Sequence, residues 1–303
     1  MKKLFCISIF FCILTLTCSD VAPQIVPLRT HTLAMPYIDQ GLQNYWFDFG
    51  GDAVISTSKH IRLTHDRPSQ VGWLWSRLPL ASANWDLEIE FSVDGKGSIY
   101  GDGFAIFLTR QRAQTGPVFG FIDKFEGLGI FFDTYKNSRS RPEVFPYVMI
   151  MQGDGNTPYD SENDGKANEL AGCEADFRSK PFPTKARLVF YKGYYLALTL
   201  QYRSENEWDT CFLLENITLP FSPYLGISAH TGDLSDNHDI IRVTAQTIVS
   251  VPDSTYPAKP IIKKKHNAWS AFLWYVKFMG FLVFVIGGIW LYRTRIMETN
   301  RRF

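Results

Sequence analysis

Residues 160–165, with the sequence DSENDG, are rich in the oxygen-bearing side chains that calcium prefers as ligands. The segment has oxygen ligands at positions one, three and five and glycine at position six, as at the start of an EF-hand loop. Its twelfth position is Ala171, where an EF-hand needs a bidentate glutamate, so the segment is not an EF-hand. From spacing alone a solvated turn is the preferred interpretation of the segment, and a hard-cation site is the alternative.

A second oxygen-rich group, Asp133-Thr134-Tyr135-Lys136-Asn137, follows an apolar run that ends at Phe132. Aspartate and asparagine oxygens together with a backbone carbonyl form a typical calcium ligand set. The two groups could therefore bind one cation, although spacing alone favours solvated turns.

Three other carboxylates, Asp86, Glu88 and Glu90, alternate along one predicted strand and so share a face. Paired carboxylates on a β-sandwich suggest a retaining glycosidase, but we favour a solvated strand face. His230 and His238 lie near several aspartates at a spacing that matches no zinc site, and we interpret them as loop histidines.

The elements that must position these residues are predicted to be β-strands. Residues 86–93 alternate between polar and apolar at every step, which predicts a strand with one solvated and one buried face. Further β-rich runs, separated by Gly, Pro, Asn and Asp, occupy residues 104–108, 128–132, 147–151, 186–191, 195–202 and 240–249. No amphipathic helical stripe of similar length accompanies them, so we predict an all-β sandwich of two antiparallel sheets.

Hydrophobic segments at both ends predict membrane targeting. Residues 1–19 have the basic start, short apolar run and small residues of a signal peptide. Residues 268–292 are apolar except for Lys277, with aromatic residues at both ends, as in a transmembrane helix. We therefore predict a type I membrane protein with a short stalk at residues 250–267 and a cytoplasmic tail at residues 293–303.

Charge and cysteine content narrow the function further. Residues 20–262 contain 21 Lys and Arg against 29 Asp and Glu, a balance that argues against nucleic acid as a partner. Outside the signal segment only Cys173 and Cys211 remain, and an even pair in a secretory lumen predicts one disulfide, with two free thiols as the alternative. Asn216-Ile217-Thr218 is a glycosylation acceptor.

Seven strings carry a family resemblance over about residues 28–249. In order, they are NWDLEIEF, GDGFAIF, GPVFG, GLGIFFDTYKN, FPYV, ELAGCEADFR and GDLSDNHDII. The sequence resembles the L-type, or leguminous-type, lectins of the early secretory pathway, and the short stalk is similar to that of the vesicular integral membrane protein group. The resemblance implies a lumenal jelly-roll (concanavalin-like) lectin domain that performs no bond chemistry and binds high-mannose N-glycans with Ca2+.

The resemblance also implies roles for individual residues. Calcium would be held by Asp133, the carbonyl of Tyr135, Asn137 and Asp164. Carbohydrate would be bound by Asp102, Asn137, Ser69, Gly232, Asp233 and Leu234, with Gly101 and Gly103 leaving room for the sugar. Cys173 and Cys211 fall where the family has its disulfide. One position departs from the family, because Ser161 stands where a histidine contacts mannose.

The resemblance further implies a cargo receptor for glycoproteins that cycles between the endoplasmic reticulum, the intermediate compartment and the Golgi. The tail ends in Arg301, Arg302 and Phe303, and similar tails engage vesicle coat components. The alternative is a lectin-fold membrane adaptor that holds its partners through protein contacts and has weak or no glycan affinity.

Overall fold

A computed structural model describes residues 24–249, 275–280 and 287 of the 303-residue chain. Fifteen β-strands are described: β1 (Gln24–Pro27), β2 (Phe47–Gly51), β3 (Val54–Ser56), β4 (His60–Thr64), β5 (Val71–Ser76), β6 (Asn84–Asp94), β7 (Gly103–Thr109), β8 (Glu126–Asp133), β9 (Tyr147–Asp154), β10 (Ala171–Glu174), β11 (Thr184–Tyr191), β12 (Tyr195–Gln201), β13 (Asp209–Glu215), β14 (Tyr224–His230) and β15 (Asn237–Val249). Short 3₁₀ helices occupy Arg29–His31 and Ser161–Asn163. Residues 275–280 and 287 are helical.

The strands form two antiparallel sheets, which confirms the predicted sandwich. The first sheet has the order β13-β12-β11-β6-β15-β4-β3, and β1 pairs with the C-terminal part of β15. The second has the order β10-β9-β8-β7-β14-β5-β2. Each predicted strand is present with small shifts at its ends, whereas β1 to β5, β10, β13 and β14 were not predicted.

The main core fills the space between the sheets and follows from strand alternation. On β6, Leu87, Ile89, Phe91 and Val93 are buried, as the alternating pattern predicts. Side chains from β7, β8 and β14 in the opposite sheet complete this core, among them Phe104, Phe132 and Ile227. Phe91 packs edge to face against Phe104 with 4.8 Å between ring centroids.

A second apolar cluster covers the other face of the second sheet. Strand β7 is buried along its whole length because Phe104 and Ile106 face the main core while Phe107 faces this second cluster. The loop between β7 and β8 supplies Val118, Phe119, Phe121 and Phe125 to the cluster. The strands that support the site are therefore packed on both faces.

The disulfide prediction is confirmed, and the bond joins the two sheets. Cys173 lies on β10 and Cys211 on β13, the edge strands of the second and first sheets respectively. The bond closes a chain segment with a sequence separation of 38 residues.

Two interpretations of polar residues were wrong. Asp86 is buried instead of solvated, because Arg187 on the neighbouring strand β11 donates hydrogen bonds to both of its carboxylate oxygens. His230 and His238 lie on strands β14 and β15, not on loops. His238 is completely buried, and its Nδ1 atom lies 2.7 Å from the hydroxyl of Thr64.

Several predictions concern residues outside those that the structure describes. These are the signal peptide at residues 1–19, the stalk at 250–267, the tail at 293–303 with Arg301, Arg302 and Phe303, and most of the span at 268–292. Within the described part of the chain, none of the helices has the length and hydropathy that crossing a bilayer requires.

Candidate functional site

The site lies where neighbouring strands of the second sheet end in one row. His230 at the end of β14 is opposite Gly103 at the start of β7, and Gly103 is opposite Asp133 at the end of β8. On the other side of β14, His230 is opposite Val71 at the start of β5. The sheet register therefore brings together loops that are far apart in the sequence.

Asp102 lies directly outside this row and connects two of the loops. Its backbone carbonyl accepts hydrogen bonds from the amide and the hydroxyl of Thr134, at 2.9 and 3.0 Å. Its side-chain Oδ2 lies 2.8 Å from Nδ1 of His230. About one third of each of these two side chains is exposed to solvent, so the Asp102 carboxylate is available to a ligand.

Asp133 is the buried carboxylate of the predicted calcium site. Burial raises the pKa of Asp133 well above its ordinary value, and the charges of Asp164 and Asp102 raise it further. The backbone amide of Tyr135, which donates to Oδ1 at 3.0 Å, and the charge of Arg141 act in the opposite direction. A bound divalent cation would offset both the burial and the repulsion between carboxylates.

Asp164 joins the two oxygen-rich loops. Its carboxylate accepts hydrogen bonds from the backbone amides of Asn137, at 2.8 Å, and Ser138, at 3.0 Å. Its own backbone has φ of 52°, in the left-handed region, at the end of the short helix Ser161–Asn163. The residues predicted to hold calcium thus lie in directly bonded loops.

The donor chemistry of this set fits calcium. No group of three or more His, Cys, Asp or Glu side chains suited to a metal occurs among residues 24–249, 275–280 and 287. The predicted set instead combines two carboxylates, Asp133 and Asp164, with the carbonyl of Tyr135 and the amide of Asn137. Calcium accepts such mixed oxygen ligands, whereas zinc prefers nitrogen and sulfur.

A pocket of about 370 Å³ opens beside these residues. Three of its lining residues were predicted as site residues: Asp102, Asp133 and Asn137. The others are Pro117, Phe119, Tyr159, Ser161, Glu162 and His230. Ser161 and Glu162 belong to the DSENDG segment considered as a cation site. Sequence reasoning gave no binding role to Pro117, Phe119, Tyr159 or His230, although the string GPVFG contains Pro117 and Phe119.

Two aromatic rings that line the pocket pack against strand β8. Tyr159 packs on Phe131 of β8 with 4.9 Å between ring centroids, and Phe119 packs on the same ring at 5.2 Å. Both rings therefore anchor the pocket to the second apolar cluster.

The remaining predicted sugar-binding residues lie next to the pocket and do not line it. The backbone amide of Ser69 donates to the carbonyl of Gly232 at 3.0 Å. A Cβ atom at position 232 would lie only 3.2 Å from Oδ2 of Asp102, so Gly232 brings its backbone close to that carboxylate. Asp233 is exposed and Leu234 is half-buried.

The two glycines beside Asp102 have different roles. A Cβ atom at Gly101 would lie 3.1 Å from Cβ of Tyr135 and 3.4 Å from Cβ of Leu234. At Gly103 it would lie 2.2 Å from the carbonyl oxygen of Phe132, and the backbone there has φ of +142°. Gly103 is thus required by the contact between β7 and β8, a reason that differs from the predicted space for a sugar.

Comparison with known proteins identifies the family. A family model described as the legume-like lectin family matches residues 26–254. The chain belongs to this family. It is therefore a lectin and not an enzyme, in agreement with the pairing of Asp86 with Arg187 in place of a glycosidase carboxylate pair.

Relatives of this lectin include membrane proteins. It is 40% identical over 244 residues to an L-type lectin-like domain-containing protein of Schizosaccharomyces pombe, covering 80% of this chain and 78% of the relative. It is 41% identical over 218 residues to the vesicular integral-membrane protein VIP36 of Mus musculus. That match covers 71% of this chain and 60% of VIP36, so the lectin spans less than two thirds of the VIP36 relative.

Solved structures support the same assignment. The lumenal domain of VIP36 in its Ca2+/Man3GlcNAc-bound form matches with a TM-score of 0.70 and 38% identity, covering 74% of this chain and 92% of that one. Its Ca2+/Man-bound form matches with a TM-score of 0.71 and 38% identity, covering 76% and 94%. The carbohydrate recognition domain of Emp47p, at 16% identity and a TM-score of 0.61, supports the fold alone and covers 74% of this chain and 98% of its own.

Proposed function

We propose that this lectin binds high-mannose N-glycans in a calcium-dependent manner and acts as a cargo receptor for glycoproteins. The observation that carries the proposal is the pocket shared by Asp102, Asp133 and Asn137, which combines an accessible carboxylate with a calcium-type donor set. The VIP36 structures with bound calcium and mannose sugars support it, because their sequences are 37 to 38% identical to this chain.

Calcium would be held by Asp133, Asp164, Asn137 and the carbonyl of Tyr135. When bound, the ion would neutralise the buried charge and fix the two oxygen-rich loops. Asp164 already bonds the backbone of the other loop, so the ion would complete an arrangement that the protein largely forms by itself. Ordering these loops before sugar arrives reduces the entropy lost on binding.

The sugar would be held mainly by hydrogen bonds to its hydroxyl groups. Asp102 would accept hydroxyl protons, and a bond to an ionised carboxylate is stronger than one between neutral groups. Asn137 would contact both metal and sugar, and Ser69 would add a hydroxyl. The backbone of Gly232, Asp233 and Leu234 would contact the sugar ring beside Asp102.

The cellular role rests on the sequence and on the names of the relatives. We propose a signal peptide at residues 1–19, a lumenal lectin domain at 28–249, a stalk at 250–267 and a membrane span at 268–292. The tail would cycle the protein through the endoplasmic reticulum, the intermediate compartment and the Golgi by engaging vesicle coat components through Arg301, Arg302 and Phe303. The exposed Asn216 would carry a glycan.

Retention on immobilised mannose tests the binding function. The protein should be retained in calcium and should elute with chelator or with free mannose. Asp102→Asn should abolish retention because it removes the carboxylate acceptor. Asp176→Asn is the control and should be retained, because Asp176 is exposed and forms an ion pair with Lys180 away from the pocket. Passage of the folded wild-type protein through the column in calcium would favour the adaptor alternative.

A further inference from the structure

We propose that His230 is a further ligand-binding residue of the pocket, which orients the Asp102 carboxylate through Nδ1 and presents Nε2 to a sugar hydroxyl. The inference deepens the proposed function and rests on it. It would make the pocket select sugars with two neighbouring hydroxyl groups, one for Asp102 and one for His230.

The position of His230 is fixed by the sheet. It is the last residue of β14 and pairs with Gly103 of β7 on one side and Val71 of β5 on the other. The preceding residue, Ala229, is completely buried. Residues on packed strands hold their side chains with greater precision than loop residues, which suits a ligand-binding group.

The ring of His230 belongs to the pocket and to Asp102 together. It lines the same pocket as Asp102 and Ser161, and Nδ1 lies 2.8 Å from Oδ2 of the carboxylate. Gly232 approaches the carboxylate closely from another direction, so the Asp102 side chain is confined by two neighbours. A confined carboxylate presents its remaining lone pairs in fixed directions.

The hydrogen-bonding chemistry assigns opposite roles to the two ring nitrogens. An ionised carboxylate only accepts hydrogen bonds, so Nδ1 must carry the proton that lies between the two groups. In the neutral ring the other nitrogen, Nε2, is then an acceptor. A sugar hydroxyl that donates to Nε2 would lie next to a hydroxyl that donates to Asp102, which is the arrangement of a vicinal diol.

Two variants separate the two roles. His230→Ala removes both nitrogens, whereas His230→Asn keeps an amide donor near the place of Nδ1 and lacks an acceptor at the place of Nε2. His60→Ala is the matched control, because His60 also contacts an aspartate, Asp239, with 3.4 Å between Nδ1 and Oδ2, but lies on the other sheet. Thermal unfolding establishes that each variant is folded.

Calorimetric titration of the full chain in detergent, with saturating calcium, tests the inference using methyl α-mannoside and its monodeoxy derivatives. His230→Ala should weaken binding of the parent sugar roughly two- to tenfold, and His60→Ala should leave it unchanged. In the wild-type protein, one monodeoxy derivative should bind more weakly than the parent sugar. In His230→Asn the same derivative and the parent sugar should bind with equal affinity, because the hydroxyl that the derivative lacks has no partner in that variant.

The outcomes distinguish this inference from the function on which it rests. Wild-type affinity in a folded His230→Ala protein would overturn the role of His230 alone. The role of His230 would also be overturned if, relative to the parent sugar, every monodeoxy derivative lost the same affinity for wild type as for His230→Asn. Absence of mannoside binding by the wild-type protein would overturn the proposed function and the inference together.

Discussion

The buried guanidinium of Arg141 donates a hydrogen bond from Nη1 to the backbone carbonyl of Asp164, with 2.6 Å between the atoms. Arg141 also pairs with the carboxylates of Glu143 and Glu169, and its guanidinium stacks over the ring of Tyr147 at 4.5 Å from the centroid. The Arg141 side chain therefore supports the loop that contains Asp164, a residue of the proposed calcium site.

Removing this support should weaken both the fold and calcium binding. Arg141→Met leaves Glu169 partly buried without its cation, and breaking such a pair costs about 3 to 5 kcal/mol. We expect the free energy of unfolding, measured by urea denaturation, to fall by that amount. Calorimetry should show calcium binding that is at least tenfold weaker. Arg139→Met, an exposed change in the same loop, is the control and should alter neither. Unchanged calcium affinity in Arg141→Met would show that Asp164 is positioned without Arg141.

The disulfide should stabilise the sandwich without contributing to the site chemistry. It closes a segment of 38 residues, for which the loop-entropy relation gives about 3 to 4 kcal/mol. In urea denaturation, the double variant Cys173→Ser and Cys211→Ser should have a free energy of unfolding that is smaller by that amount. While folded, it should bind mannose as tightly as wild type. Equal stability of the double variant and the oxidised wild type would contradict this role.

Alternation made part of the fold predictable. Strand β6 could be read from the sequence because every second residue from Leu87 to Val93 faces one core. Strand β10 could not, since its four residues, Ala171–Glu174, form a strand only through pairing with β9. Strand β7 is buried on both faces, so its run of apolar residues predicted a strand but not the second cluster that covers it.

Acid should destabilise the lectin partly through His238. Complete burial, with a smaller contribution from the charge of Arg178, lowers the pKa of His238 to about 3. The unfolded chain, with an ordinary histidine pKa of about 6.5, therefore binds more protons than the folded chain between pH 6.5 and 3. Stability from this residue is fully present above pH 6.5 and is lost progressively as the pH falls toward 3.

The variant His238→Asn isolates that contribution, because asparagine can keep a hydrogen bond to Thr64 but does not titrate. We expect wild type to lose more unfolding free energy than the variant between pH 7 and pH 5, measured by urea denaturation. Equal losses in the two proteins would contradict the assignment.

Introducing the missing imidazole at position 161 should strengthen sugar binding. Ser161 is exposed, lines the pocket and has a shorter reach than histidine. Ser161→His should increase affinity for mannose by up to about tenfold, which is the value of one hydrogen bond. Ser204→His, exposed on a distant turn, is the control. Calorimetry with no gain in Ser161→His would mean that this side of the pocket does not contact the sugar.

The site was only partly predictable for a physical reason. Asp133 and Asn137 could be proposed because their oxygen-rich segment follows an apolar run. The place of His230 depends on the register of β14 with β7, a relationship between distant segments that one sequence does not display. The role of Arg141 could not be predicted from the sequence either, because it depends on the hydrogen bond that the buried guanidinium donates to the carbonyl of Asp164.

Calorimetric titration of residues 20–262, with the disulfide intact, against a high-mannose oligosaccharide tests whether the protein is a calcium-dependent lectin for these glycans. We expect saturable binding in calcium, no binding after chelation and none by Asp102→Asn in calcium. A folded protein that binds no oligosaccharide in either condition would contradict the claim and favour a lectin-fold adaptor that holds its partners through protein contacts.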